Sequence, residues 1–121
     1  MSDTQRREPM NGNSGALRAL GLCRAAGKAV CGTDLVCRAL HRVGTVFCVV
    51  LASDASENTV KRLNDKCSYY GVSLYKMSAS MAELASAVGK RGSQTAAIAI
   101  TDANLARLFM EKLGADAPGQ K

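Results

Sequence analysis

At 121 residues, with 16 Lys and Arg against 10 Asp and Glu, the chain is long enough for one domain with a single modest core. No apolar run approaches the roughly 20 residues that cross a bilayer, and the polar stretch 1–15 lacks the apolar segment of a secretion signal. The expectation is therefore a cytoplasmic protein with no membrane partner.

In chain order, residues 1–15 mix polar and charged types without an apolar period and read as a disordered tail. Ala16 to Ala26 is rich in Ala and Leu and reads as a helix in which Gly21 lets a neighbour approach. Ala29 to Cys31 is a very short strand. The second helix runs from about Thr33 to Val43, with Val36, Ala39, Leu40 and Val43 at helical spacing. Val46 to Ala52 is a continuous apolar, β-branched run, the pattern of a strand covered on both faces. Asp54 and Glu57 are spaced as a capping box for a helix burying Val60, Leu63, Cys67 and Tyr70. After Gly71, Val72 to Met77 is a third strand. Ser80-Met81-Ala82-Glu83 matches the S-x-x-E capping box and opens a helix that stops near Val88 and Gly89. Thr95 to Ile100 is the last strand, Asp102 opens a helix carrying Leu105, Leu108, Phe109 and Leu113, and 114–121 is a second tail. Helices alternating with strands imply an α/β fold, a three-layer α/β/α sandwich around a small mixed four-stranded sheet spanning residues 16–113. There is no internal repeat.

The stretch with the most chemical content is Gly27-Lys28-Ala29-Val30-Cys31-Gly32-Thr33-Asp34. Thr33 is a favoured residue for capping a helix start, and the bare N–H donors and partial positive charge there suit a phosphate or a base edge. Lys28 stands upstream, and Arg38 and Arg42 follow along the helix. Between Ala16 and Arg42 five basic residues face one acid, Asp34, so this window carries +4 of the chain's net +6, whereas Thr101 to Lys121 is neutral. Such asymmetry favours a polyanionic partner.

Other patterns carry less. The five cysteines (Cys23, Cys31, Cys37, Cys48 and Cys67) are odd in number and show no CxxC spacing. They read as small buried side chains rather than a zinc site or disulfide framework, so no metal and no cofactor is expected. His41 has no companion ligand nearby and reads as a surface helix residue. Gly21 to Lys28 mimics a phosphate-binding loop, but five residues separate Gly21 from Gly27 where the motif needs four, and Ala29 replaces the magnesium-binding hydroxyl. Asp54 and Ser56 stand where α/β enzymes place catalytic groups, yet they and Asp102 are also the residues that helix caps require. No catalytic residue is assigned.

Taken together, Leu20-Gly21-Leu22-Cys23-Arg24-Ala25-Ala26-Gly27-Lys28, Gly32-Thr33-Asp34, Leu51-Ala52-Ser53-Asp54-Ala55-Ser56, Glu83-Leu84 and Val88-Gly89-Lys90 resemble a known family. It is the kink-turn RNA-binding ribosomal protein superfamily of the L-seven-Ae/L-thirty-e type, and within it the short bacterial YlxQ-like branch. The blocks occur in the same order and at similar intervals from about Ala16 to Leu113. The resemblance implies a monomeric, non-catalytic protein that binds structured RNA, either ribosomal RNA or a kink-turn, the internal loop that sharply bends a duplex. Carried onto this chain, one RNA surface is Lys28, Gly32, Thr33, Asp34 and Arg38, where the second helix begins. The other is the loop Val88, Gly89, Lys90, Arg91 and Gly92. The chain departs from the archaeal-type pattern at Asp34-Leu35, in place of Asn-Glu, and at Ala85, in place of Gly.

Two alternatives remain at this level. A protein-interaction module on the same fold predicts that Lys28, Arg38, Lys90 and Arg91 are dispensable. A small enzyme using Asp54 and Ser56 needs a polar pocket beside the buried strand.

Overall fold

The β-branched runs near 46–52 and 95–100 supply the two central strands of the sheet. The computed structural model describes residues 14–116. Its elements are α1 (Ser14–Ala25), β1 (Ala29–Cys31), α2 (Thr33–Leu40), β2 (Cys48–Leu51), α3 (Glu57–Tyr70), β3 (Ser73–Lys76), α4 (Met81–Ala87), β4 (Ala97–Ile100) and α5 (Ala103–Asp116). The strand order is β1-β4-β2-β3. Strand β4 is antiparallel to both neighbours, with Ala99 opposite Val30 and Val49, while β2 and β3 are parallel with Val49 opposite Leu74. The sheet is mixed, as its sequence pattern implies.

Alternate side chains of a strand point to opposite faces, and both faces here are covered. Cys48, Val50, Ile98 and Ile100 pack with Leu20 of α1, Leu84 of α4 and Phe109 of α5. Val49, Leu51, Ala97 and Ala99 pack with Val36 and Leu40 of α2 and Leu63 of α3. Three layers result, α1/α4/α5 on one side and α2/α3 on the other. On the first side α1 crosses α4 so closely that a Cβ at Gly21 would lie 2.9 Å from the Ala87 carbonyl oxygen, which is why glycine stands there.

Several boundaries differ from expectation. Helix α2 stops at Leu40 rather than Val43 because the Thr45 hydroxyl donates to the Arg42 carbonyl at 2.7 Å and to the Ala39 carbonyl at 3.3 Å, closing the last turn. Val43 is left 79% exposed. Asp54 and Glu57 do not cap α3. Ser56 is its N-cap, accepting from Thr59 N at 3.2 Å, and Asp54 Oδ1 instead accepts from Met81 N at 2.8 Å, at the start of α4. Asp102 Oδ1 accepts from Leu105 N at 3.0 Å, so all three polar residues weighed as catalytic groups are engaged in helix starts. The Ser80/Glu83 capping box forms in both directions. Residues 1–13 and 117–121 of the expected tails lie outside the described residues, whereas Ser14 and Gly15 already belong to α1, and α5 continues past Leu113 to Asp116.

All five cysteines are buried and free. Burial pushes the Cys23 and Cys67 thiols up to about 11 and that of Cys48 to about 12, because a thiolate is costly away from water. Among the described residues no helix is long and apolar enough to cross a membrane.

Candidate nucleic-acid interface

The site is built at one end of the sheet, where β1 hands over to α2. Gly32 N donates to Ala97 O at 2.9 Å, extending the β1–β4 ladder by one residue. Gly32 itself has φ 104° and ψ 139°, a backbone conformation that L side chains rarely adopt. Nothing lies within 4 Å of where its Cβ would be, so the backbone turn demands glycine and the space above it is open.

That turn displaces the expected cap. Gly32, which has no side-chain oxygen, is the N-cap, and Thr33 is the first helical residue. No side chain caps the helix, and the first N–H used within it is that of Val36, donating to Gly32 O at 2.9 Å. Among the described residues the N–H groups of Thr33, Asp34 and Leu35 have no protein acceptor. An α-helix leaves its first N–H groups without internal partners, and here they face outward with the positive end of the helix dipole. Asp34 sits in that first turn and is held from α3: its Oδ1 lies 3.0 Å from Arg62 Nη1. Arg38, one turn on, is exposed and has no ion-pair partner among the described residues. Leu35 beside it is 50% exposed.

The second surface follows α4. Gly89 N donates to Ser86 O at 3.1 Å and Lys90 N to Ala85 O at 2.7 Å, with Gly89 at φ 80°. This double closure around a left-handed glycine is a Schellman ending. Ser93 N and Oγ both donate to Lys90 O at 3.0 Å, and Gly92 has φ 88°, so the loop is tightly folded. Lys90 is partly exposed and Arg91 and Gly92 are exposed. Val88 is a correction: its side chain is 3% exposed and packed in the core with Leu20 and Phe109, leaving only backbone for any surface.

Electrostatics ties the two segments together. Burial raises the Cys31 thiol, while the positive charges of Arg24 and Lys90 pull it back down. Both cations therefore act on the thiol of Cys31, the residue before Gly32, although Arg24 itself stands in the last turn of α1, which leads into the Lys28 end of the strand. Lys28 does not join them. Its carbonyl accepts from Thr101 N at 2.9 Å at the opposite end of β1, and four residues of strand at about 3.3 Å each put it about 13 Å from Gly32. The structure thus places Gly32, Thr33, Asp34 and Arg38 together at the start of α2, with Lys90 acting on the preceding Cys31, and separates Lys28 from them. Arg24 and Arg62 were not among the expected site residues. Arg24 lies within the family-like block, and Arg62, 28 residues from Asp34, has no local signal in the sequence. Among the described residues no group of three or more His, Cys, Asp and Glu side chains is placed to hold a metal ion.

Residues 16–109 match the model of the ribosomal protein L7Ae/L30e/S12e/Gadd45 family. The chain belongs to this family. It is 39% identical over 94 residues to the RNA-binding protein YlxQ of Bacillus subtilis (strain 168), covering 78% of this chain and 90% of that protein. It is also 39% identical over 75 residues to the RNA-binding protein YlxQ of Enterococcus faecium, covering 62% and 71%. Among solved structures, a protein of unknown function from Bacillus halodurans C superimposes with TM-score 0.74 at 30% identity, over 82% of this chain and 96% of that one. The Giardia lamblia 15.5kD RNA binding protein, at 19% identity, shares the fold, with TM-score 0.71 over 89% of each chain. The L7Ae/L30e match runs from within α1 through the first half of α5, and so includes both candidate surfaces.

Proposed function

We propose that this L7Ae/L30e-family chain is a cytoplasmic, non-catalytic protein that binds, as a monomer, a kink-turn or similarly bent structured RNA, ribosomal RNA included. The observation that carries the reading is the uncapped start of α2, with three N–H groups free and Arg38 and Lys90 nearby. The YlxQ relatives named for RNA binding support the class of ligand.

In this reading the work divides by chemistry. The N–H groups and hydroxyl of Thr33 donate to acceptors on a base edge or a phosphate. Asp34 is acceptor-only and selects N–H donors, such as the amino group of a guanine. Arg24, Arg38, Lys90 and Arg91 hold phosphates and set the register, contributing affinity without sequence information. Gly32, Gly89 and Gly92 carry no side chains, so the RNA backbone meets protein backbone closely on both sides of the bend. Recognition of folded RNA rests largely on shape, and two surfaces on separate loops fit a bent duplex better than a straight one. Lys28 contributes at most from the periphery.

The test is the salt dependence of binding in single variants. Arg38→Ala and Lys90→Ala should each weaken binding to kink-turn RNA and reduce the slope of log K against log salt by about 0.7 to 0.9, the loss of one phosphate contact. Unchanged slopes in both would remove these residues from the interface and favour the protein-interaction reading.

A further inference from the structure

The opposite end of the sheet carries a surface that the RNA site at α2 does not use. There the C-terminal ends of α2 and α3 meet. Tyr70 Oη lies 2.8 Å from His41 Nδ1, with the two rings 5.6 Å apart at 73°. Tyr69 stands edge-on to Tyr70, centroids 4.8 Å apart at 87°. Tyr70 is partly buried and so anchors the cluster, whereas Tyr69 is 81% exposed. An aromatic ring is thus held in place from one side and offered to solvent on the other. Phe47, 46% exposed, enters at the same end, since Phe47 N donates to Ile100 O and Cys48 pairs with Ser73 just after α3.

Charge says what suits such a surface. Residues 39–53 contain His41 and Arg42 and no acid, and residues 66–75 contain Lys66 and no acid. Lys28, stranded from the α2 start, stands at this end too, beside Thr101. Asp65 stands one turn before Tyr69 on α3, and Asp102, which follows Thr101, has its carboxylate engaged by Leu105 N. Exposed aromatic rings interleaved with cations, and nearly free of acids, match a single-stranded polynucleotide, whose bases stack on rings while phosphates pair with the cations. A folded protein partner offers no such repeated alternation of flat apolar faces and anions.

We infer that the Tyr69/Phe47 end of the molecule is a second nucleic-acid site, which stacks an unpaired base of single-stranded RNA on Tyr69 and holds its phosphates with Arg42. The inference shares with the proposed function only the class of ligand, and it assigns single-stranded flanks of a bound RNA to the far end of the domain. No element of the α2 start takes part.

The experiment titrates fluorescently labelled oligoadenylate of ten nucleotides against the full chain, its Tyr69→Ala and Tyr69→Phe variants, and in parallel a kink-turn duplex without single-stranded ends. Oligoadenylate should bind the unaltered chain, and Tyr69→Ala should weaken it by roughly 5- to 150-fold, the cost of one lost base stack. Tyr69→Phe should stay within about twofold, because the ring and not the hydroxyl does the stacking. Duplex binding should be the same in all three proteins. Equal oligoadenylate binding by Tyr69→Ala, or none by the unaltered chain, overturns the inference and leaves the patch to a protein partner. Oligoadenylate binding without duplex binding supports it while removing the proposed kink-turn site, and the reverse removes it while keeping that site. Melting curves of the two variants that match the unaltered chain exclude loss of folding as the cause.

Discussion

Replacing Arg62 with Ala frees the Asp34 carboxylate at the mouth of α2, and the geometry sets the size of two separate effects. The pair spans 3.0 Å, but Arg62 is 49% and Asp34 80% exposed. Water screens such pairs, so the loss of folding stability should be about 0.2 to 1 kcal/mol, a fall in Tm of at most about 8 °C for a domain near this size. Binding should suffer separately. For an assumed separation of about 6 Å between the carboxylate and a phosphate docked at the free N–H groups, two unit charges repel by about 0.7 kcal/mol in water and about 2.8 kcal/mol at an effective dielectric near 20. The dissociation constant for RNA should therefore rise by roughly 3- to 100-fold. A double-mutant cycle separates this from the loss of a direct Arg62–phosphate contact. Asp34→Asn in the Arg62→Ala background removes the repelling charge and should recover most of the lost affinity in an anisotropy titration at low salt. If the double variant binds as weakly as Arg62→Ala alone, Arg62 does not act through Asp34 and the reasoning fails.

Other consequences concern the scaffold. Gly21→Ala places a methyl group 2.9 Å from the Ala87 carbonyl oxygen, so α1 and α4 must separate. Thermal unfolding should show a loss of about 1 to 3 kcal/mol, and a variant as stable as the parent would mean that the helices have room to shift. Cys23, Cys48 and Cys67 have thiols raised by burial to about 11, 12 and 11. Because the unfolded chain loses these protons first, their contribution is intact below about pH 9 and is lost as pH rises from there through 11 to 12. Urea midpoints measured from pH 8 to 11 should fall, and a flat profile would contradict the burial of the thiols. For the same reason, alkylation of these three cysteines at pH 8 should be slow in the folded protein and fast in denaturant.

Local signals in the sequence translated well into structure. The short strand Ala29–Cys31 forms with the expected bounds, the Ser80/Glu83 capping box forms, and the buried run at 46–52 becomes a central strand. These features depend on neighbours in sequence, as turn chemistry and hydrophobic period do. What escaped is what the fold brings from afar. Asp54 satisfies Met81 N, 27 residues away, instead of its own helix, and Arg62 reaches Asp34 across the α2–α3 packing. The resemblance carried Val88 onto the loop surface, yet the end of α4 turns its side chain into the core. Lys28 and Gly32 are close in sequence but stand at opposite ends of a strand, since an extended chain separates residues much faster than a helix does. The basic and glycine content of the site was thus legible, and its grouping was not.

The central claim is that the α2 start and the Gly89–Gly92 loop together recognise the shape of a bent RNA. It is tested most directly by titrating the protein, under reducing conditions, with a kink-turn RNA and with the same duplex lacking its bulge, at two salt concentrations. The account predicts a preference for the kink-turn that survives at the higher salt, where contacts with phosphates alone are weakened. Equal and equally salt-sensitive binding to both RNAs, or binding to neither, would contradict it.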